Sequence, residues 1–325
     1  MSSLSSIYLI KLASLSLTFR FLTILILIYL PRSGWLPCFD CSAQEKYQKY
    51  QGLVRWDTLH FIKMASHGGR LVEQDWAFGN GIVWILQLGD WIGRSIFDDQ
   101  ATVICTSLLA ISASVGSTVL LSLLTFELTK SIKFTSLVGL LHIFSPSPST
   151  QVVPYTEPFY AFFSFLASYR YARLSNPSSS KRFHAKLTIA IFAAIATTLR
   201  SIGIIQASFW ISDWLDNSKK LTSNKFKNPK KRLFDMIINS IQTFILVLIT
   251  SGPFLLDQYL GYREFCMVEF QLVRPWCSNL IPSIYNFVQS HYWDVGFLRY
   301  WTVSQSPLFL LSAPVYWVSI ASIFY

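Results

Sequence analysis

Three stretches of this chain hold the side chains best suited to chemistry. The first runs Arg55-Trp56-Asp57-Thr58-Leu59-His60 and continues into Glu73-Gln74-Asp75-Trp76. Asp57 and His60 are three residues apart, so on a helix they share a face. Asp57 can take a proton from an attacking hydroxyl as a general base. On these residues alone, a helix cap or an ion pair with Arg55 is the stronger reading. Rings interleaved with carboxylates suit a sugar, which stacks its apolar faces and donates from its hydroxyls. The same mixture suits a membrane interface, where Trp and Tyr concentrate.

The second stretch is Tyr155-Thr156-Glu157, which follows a Pro/Ser-rich turn. Glu157 there either holds substrate hydroxyls or favours the start of a helix through the macrodipole. The third surrounds His291-Tyr292-Trp293-Asp294. His291 and Asp294 are again three residues apart, either contacting a phosphate or ordering an aromatic loop. Arg200 stands alone inside an apolar run. An arginine in hydrocarbon is costly, whereas one lining a polar cavity is functional.

The elements that position these groups are membrane helices. Of 325 residues, 52% are hydrophobic and 14% charged, against about 25% charged in a soluble domain. The net charge of +10 is not gathered on a solvated face or arm, as a nucleic-acid binder requires. Connectors at Lys130 to Lys133, Arg170 to Lys186 and Lys219 to Arg232 hold 14 of the 27 Lys and Arg residues. Short basic connectors stay cytosolic. Residues 31–99, with 7 basic and 8 acidic residues, and 257–305, with 3 and 4, read as two long luminal loops.

Between them the chain reads as an all-α polytopic membrane protein, 1–325 forming one integral membrane domain of about eight hydrophobic helical segments. The expected segments are Leu12 to Leu30, Ala101 to Thr125, Phe134 to Phe144, Pro158 to Tyr169, Leu233 to Leu256 and Pro307 to Tyr325. Leu187 to Leu215 supplies two more, because basic connectors flank it on both sides. A single span would put those connectors on opposite faces of the membrane. A hairpin of two short helices meeting near Arg200-Ser201-Ile202-Gly203 keeps both cytosolic and puts Arg200 at the luminal tip.

Cys38 and Cys41 form a C-x-x-C, but nothing pairs them with a second set as a zinc site would require. In an oxidising lumen disulfides form, and Cys266 with Cys277 is the better candidate pair. No nucleotide-binding glycine loop, zinc-protease motif or Asp-x-Asp is present. Asp98 and Asp99 are adjacent rather than spaced, and no metal or cofactor is expected.

The run Arg55 to Phe78, together with Phe265-Cys266, Arg274-Pro275-Trp276-Cys277 and the block Gln289 to Trp301, resembles the GPI mannosyltransferase 2 (PIG-V) family, fungal members included. Ser145-Pro146, Tyr155-Thr156-Glu157 and Thr197-Thr198-Leu199-Arg200-Ser201 with Gly203 extend the likeness. Ile202 departs from it, standing where Asn is expected, and relatives are expected to continue beyond Tyr325 with further hydrophobic segments.

The resemblance implies a GT-C glycosyltransferase in the endoplasmic-reticulum membrane with its active site facing the lumen. It implies α-1,6 transfer of the second mannose, with inversion, from dolichyl phosphate mannose to the one-mannose, lipid-linked GPI precursor. It implies Asp57 as the catalytic base and Arg200 as first candidate to stabilise the departing phosphate, with His291 and Arg274 behind it. Trp56, His60, Glu73, Gln74, Asp75, Glu157, Trp293 and Asp294 are the further substrate-binding candidates. A small membrane accessory subunit is also implied. A transporter or lipid scramblase is the alternative of another class, although no internal repeat supports it. A non-catalytic subunit of a transferase complex is a third reading.

Overall fold

A computed structural model describes residues 4–34, 45–96, 100–174, 179–222, 229–267, 274–296, 298–299 and 301–321. The expectations for Cys38, Cys41, Asp98 and Asp99, and most of the Ser-rich linker after Leu174, fall outside these residues. Among the described residues the chain is helical and contains no strand. It forms two compact units, one of Met1–Leu71 and Phe78–Asp257, the other of Val72–Ala77 and Gln258–Tyr325.

The first unit contains α1 (Ser6–Arg32), α2 (Asp57–Ser66), α3 (Gly81–Ile96), α4 (Ala101–Thr129), α5 (Ile132–Ile143), α6 (Glu157–Ala172), α7 (Ser179–Leu199), α8 (Ser208–Thr222) and α9 (Pro229–Cys266) as far as Asp257. α1, α4 and α9 are long and apolar enough to cross a membrane. This is an all-α membrane protein, and among the described residues each expected apolar segment is largely helical. α9 runs ten residues beyond the expected Leu256. Asp257, Arg263 and Glu264 end an apolar stretch, but a helix needs only its backbone hydrogen bonds to continue.

Polar groups join the apolar helices. Arg20 of α1 is fully buried. It donates to Ser114 Oγ of α4 at 2.9 Å and to the carbonyls of His142 and Ile143, at 2.9 and 3.0 Å, where α5 ends. A helix C-terminus carries partial negative charge and carbonyls without intrahelical partners, so it satisfies a guanidinium without a carboxylate.

The Leu187 to Leu215 stretch is a hairpin. Thr197 and Thr198 turn their hydroxyls back to the carbonyls of Ala193 and Ile195, α7 stops at Leu199, and Arg200 is extended at φ −144°. A 3-10 turn, Ser201–Ala207, leads into α8. A Cβ on Gly203 would lie 2.7 Å from Thr197 Cα, so only glycine lets the turn close against the end of α7. Trp210 of α8 then packs with Ile189, Ala190 and Ala193 of α7. Lys186 Nζ meets Asp213 at 2.5 Å, and the two helices of the hairpin run back with Arg200 at the tip.

The second unit joins the 3-10 turn Glu73–Ala77 to α10 (Ile284–Tyr292), and also holds α11 (Ser306–Ala321). Its small core is Trp276, Ile284 and Val288 with Trp76, Tyr262, Phe265 and Phe287 around them. Cys266 and Cys277 are joined by a disulfide with their Cα atoms 5.7 Å apart.

Candidate active site

The first unit brings Trp56, Asp57, His60, Glu157 and Arg200 into one neighbourhood. α2 is anchored by its inner face, where Thr58, Phe61, Ile62 and Met64 are buried. That leaves Asp57 half-buried at the first turn and His60 exposed beside it. Trp56 precedes the helix with φ at 51° and ψ at −129°. A non-glycine residue in this region is strained, and the turn it makes delivers Asp57 directly into the helix start. The Trp56 side chain is exposed.

Tyr155 fixes that start from the other side. Its hydroxyl accepts the backbone N–H of Asp57 at 3.2 Å, and its ring stands edge-on to Phe61, with centroids 6.0 Å apart. Burial, and then the Asp57 charge, hold the Tyr155 phenol above its ordinary range. It therefore keeps its proton and remains a donor.

Glu157 begins α6, and Arg200 sits at the hairpin tip. The Arg200 guanidinium donates to the Glu157 carboxylate, forming an ion pair across 43 residues of sequence. Thr156 Oγ1 also donates to Glu157, at 3.3 Å. Burial raises the Asp57 carboxyl above its ordinary range and the Glu157 charge raises it further, while His60 and Arg200 oppose the rise. A carboxylate tuned this way is a stronger base than a free one. Arg200, with five donors of which Glu157 uses only some, can also meet an anion.

A half-buried ion pair that the sequence does not reveal supports the same region. Arg70 donates twice to Asp257, at 2.9 and 2.8 Å, and once to the Phe78 carbonyl at 2.6 Å. Phe78 in turn lies beside His60, with ring centroids 6.0 Å apart. Arg70 and Asp257 stand 187 positions apart in the sequence, so no local spacing signals the pair.

The second unit holds the remaining candidates. Glu73 is buried, and both its oxygens are engaged. Oε1 accepts from Trp276 Nε1 at 2.9 Å and Oε2 from the Tyr292 hydroxyl at 3.0 Å, with Arg274 Nε 3.9 Å away. Burial and the Glu73 carboxylate hold the Tyr292 phenol above its usual range. Asp75 is buried and accepts the Val72 N–H at 3.1 Å, while Gln74 lies half-buried on the same turn. His291 stacks on Phe287, with centroids 4.9 Å apart. Trp293 follows α10 as its C-cap, and Asp294, at φ 49°, lies 4.0 Å from Arg299. Among the described residues no three His, Cys, Asp or Glu side chains converge to hold a metal ion.

The model of the family described as mannosyltransferase (PIG-V) matches residues 7–325. GPI mannosyltransferase 2 of Aspergillus oryzae is 32% identical over 267 residues, covering 81% of this chain and 57% of the relative. GPI mannosyltransferase 2 of Cryptococcus neoformans is 31% identical, with coverages of 96% and 73%. GPI alpha-1,6-mannosyltransferase 2 of Cricetulus griseus is 30% identical, with coverages of 85% and 58%. Against the Aspergillus oryzae and Cricetulus griseus proteins the chain thus spans just under three fifths of the relative's length. No solved structure matches it.

Proposed function

Because this chain belongs to the mannosyltransferase (PIG-V) family, we propose that it is an enzyme of GPI-anchor assembly, transferring the second mannose in α-1,6 linkage to the lipid-linked one-mannose precursor. The similarity to proteins named GPI mannosyltransferase 2 and GPI alpha-1,6-mannosyltransferase 2 supports the reading. The observation that carries it here is Asp57, a carboxyl held above its usual range beside the Glu157 and Arg200 pair.

In the proposed reaction Asp57 takes the proton of the acceptor hydroxyl, whose oxygen forms the new bond to the anomeric carbon of dolichyl phosphate mannose. The bond from that carbon to the phosphate oxygen breaks on the opposite side, and its electron pair leaves with dolichyl phosphate. One displacement inverts the β-linked donor to an α-mannoside. Arg200 meets the developing phosphate charge, which is strongest catalysis where donors are already in place. Glu157 fixes the Arg200 side chain, and Trp56 offers an exposed ring for a sugar face. No cofactor enters these steps. The active site faces the lumen of the endoplasmic reticulum in this reading, since the basic connectors lie at the opposite end of the α7–α8 hairpin from Arg200. A small membrane subunit is a proposed partner.

The test is to express the chain in microsomes lacking the endogenous activity and to supply dolichyl phosphate mannose. Conversion of the one-mannose to the two-mannose GPI intermediate supports the reading. Persistent one-mannose intermediate, with the chain present in the membrane, contradicts it.

A further inference from the structure

Helices α6 and α7 pack together and close at one end on the ion pair between Glu157 and Arg200. At the other end they part around a cavity of about 410 Å3, lined by Arg170, Arg173, Leu174, Ala185, Thr188 and Ile189. The 16 residues of α6 make it about 24 Å long at 1.5 Å per residue. That is most of the depth of a hydrocarbon core, and the cavity lies at the end of α6 away from the Glu157 and Arg200 pair, beside a basic connector of the kind that stays cytosolic.

Its chemistry is two-sided. Leu174, Ala185 and Ile189 supply apolar wall, and two arginines supply charge. Among the described residues Arg170 has no hydrogen-bond or ion-pair partner and is exposed. Arg173 donates to the Tyr169 hydroxyl at 3.1 Å and lies over that ring, which leaves most of its five donors for another acceptor. Asp213 of α8 is already engaged, by Lys186 at 2.5 Å and by the Tyr171 hydroxyl at 2.9 Å.

We propose that this cavity binds the phosphate-bearing headgroup of an anionic phospholipid, with Arg170 and Arg173 on the phosphate and Leu174 and Ile189 against the start of the acyl chains. Paired guanidiniums match phosphate oxygens, and basic pockets between membrane helices on the cytosolic side are where anionic headgroups collect. An uncharged sugar would leave both charges unanswered. The site is separate from the mannosyl-transfer site and does not depend on that assignment.

The test uses the purified full chain in phosphatidylcholine nanodiscs, with and without phosphatidylinositol, reading bound lipid by native mass spectrometry and the unfolding temperature. The anionic lipid is expected to give a retained adduct and to raise the unfolding temperature by roughly 2–4 °C. The double variant Arg170→Gln/Arg173→Gln should lose both effects while unfolding as the parent does in phosphatidylcholine alone. Should that variant fold poorly, Thr188→Trp fills the cavity while keeping both arginines, and it should also abolish the adduct. A Lys219→Gln/Lys220→Gln control, in another basic connector, should keep it. An adduct that survives both cavity variants overturns the proposal, as does an equal, arginine-dependent shift from inorganic phosphate alone, which would mark a site for a free small anion.

Discussion

Arg200 at the tip of the α7–α8 hairpin is ion-paired to Glu157 at the first residue of α6, and this pair bears on the protonation of Asp57 from both directions. The negative partner raises the Asp57 carboxyl and the positive partner lowers it. The two residues therefore act on the proposed base with opposite sign, although they are bound to each other.

That opposition sets a pH test. A base works only when ionised, so transfer should rise with pH along an acid limb governed by Asp57. Glu157→Gln removes a negative neighbour and should move the limb to lower pH. Arg200→Ala removes a positive neighbour and should move it to higher pH. Profiles of kcat/KM against pH measure both shifts, and limbs that move in the same direction would contradict the arrangement.

Tyr155 is expected to position the base rather than react. In Tyr155→Phe the ring still packs on Phe61, but the Asp57 N–H loses its acceptor. Leaving such a donor unsatisfied costs about 1 kcal/mol, or roughly fivefold in rate if the misplacement is felt fully in transfer. A membrane assay alongside thermal unfolding should show slower transfer at nearly unchanged stability. An unchanged rate would remove Tyr155 from the account.

Glu73 separates holding a fold from touching a substrate. Glu73→Ala strips the acceptor from Trp276 and Tyr292 and should destabilise the second unit by about 3 kcal/mol, seen as faster proteolysis within residues 258–321. Glu73→Gln keeps one carbonyl acceptor and should resist proteolysis nearly as well as the parent. If that variant stays resistant yet loses transfer, Glu73 meets substrate directly.

Much of the fold was legible because hydrocarbon imposes simple rules. Basic connectors on both sides of Leu187 to Leu215 favoured a hairpin over a single span, and the chain does turn at Arg200. The length of α9 was not legible, since charge at Asp257 marks the end of an apolar stretch and not of a helix. Within the site, the spacing of Asp57 and His60 placed both on α2, but spacing is silent on partners far along the chain. Tyr155 reaches Asp57 across 98 residues, Arg70 reaches Asp257 across 187, and Arg20 finds helix-end carbonyls where the sequence offers only an interruption in an apolar run. The acidic turn at Glu73 to Asp75 suited a sugar or a membrane interface by composition, with substrate binding implied by the resemblance, and only tertiary packing shows that both carboxylates are buried.

Asp57 carries the central claim, and its exchange for asparagine tests it most directly. Asp57→Asn keeps the size of the side chain and the backbone N–H that Tyr155 accepts, and removes only the capacity to take a proton. In microsomes lacking the endogenous enzyme and matched for expression, the parent should convert the one-mannose GPI intermediate while Asp57→Asn loses at least about a hundredfold in rate. Equal conversion by parent and variant would show that Asp57 is not the base.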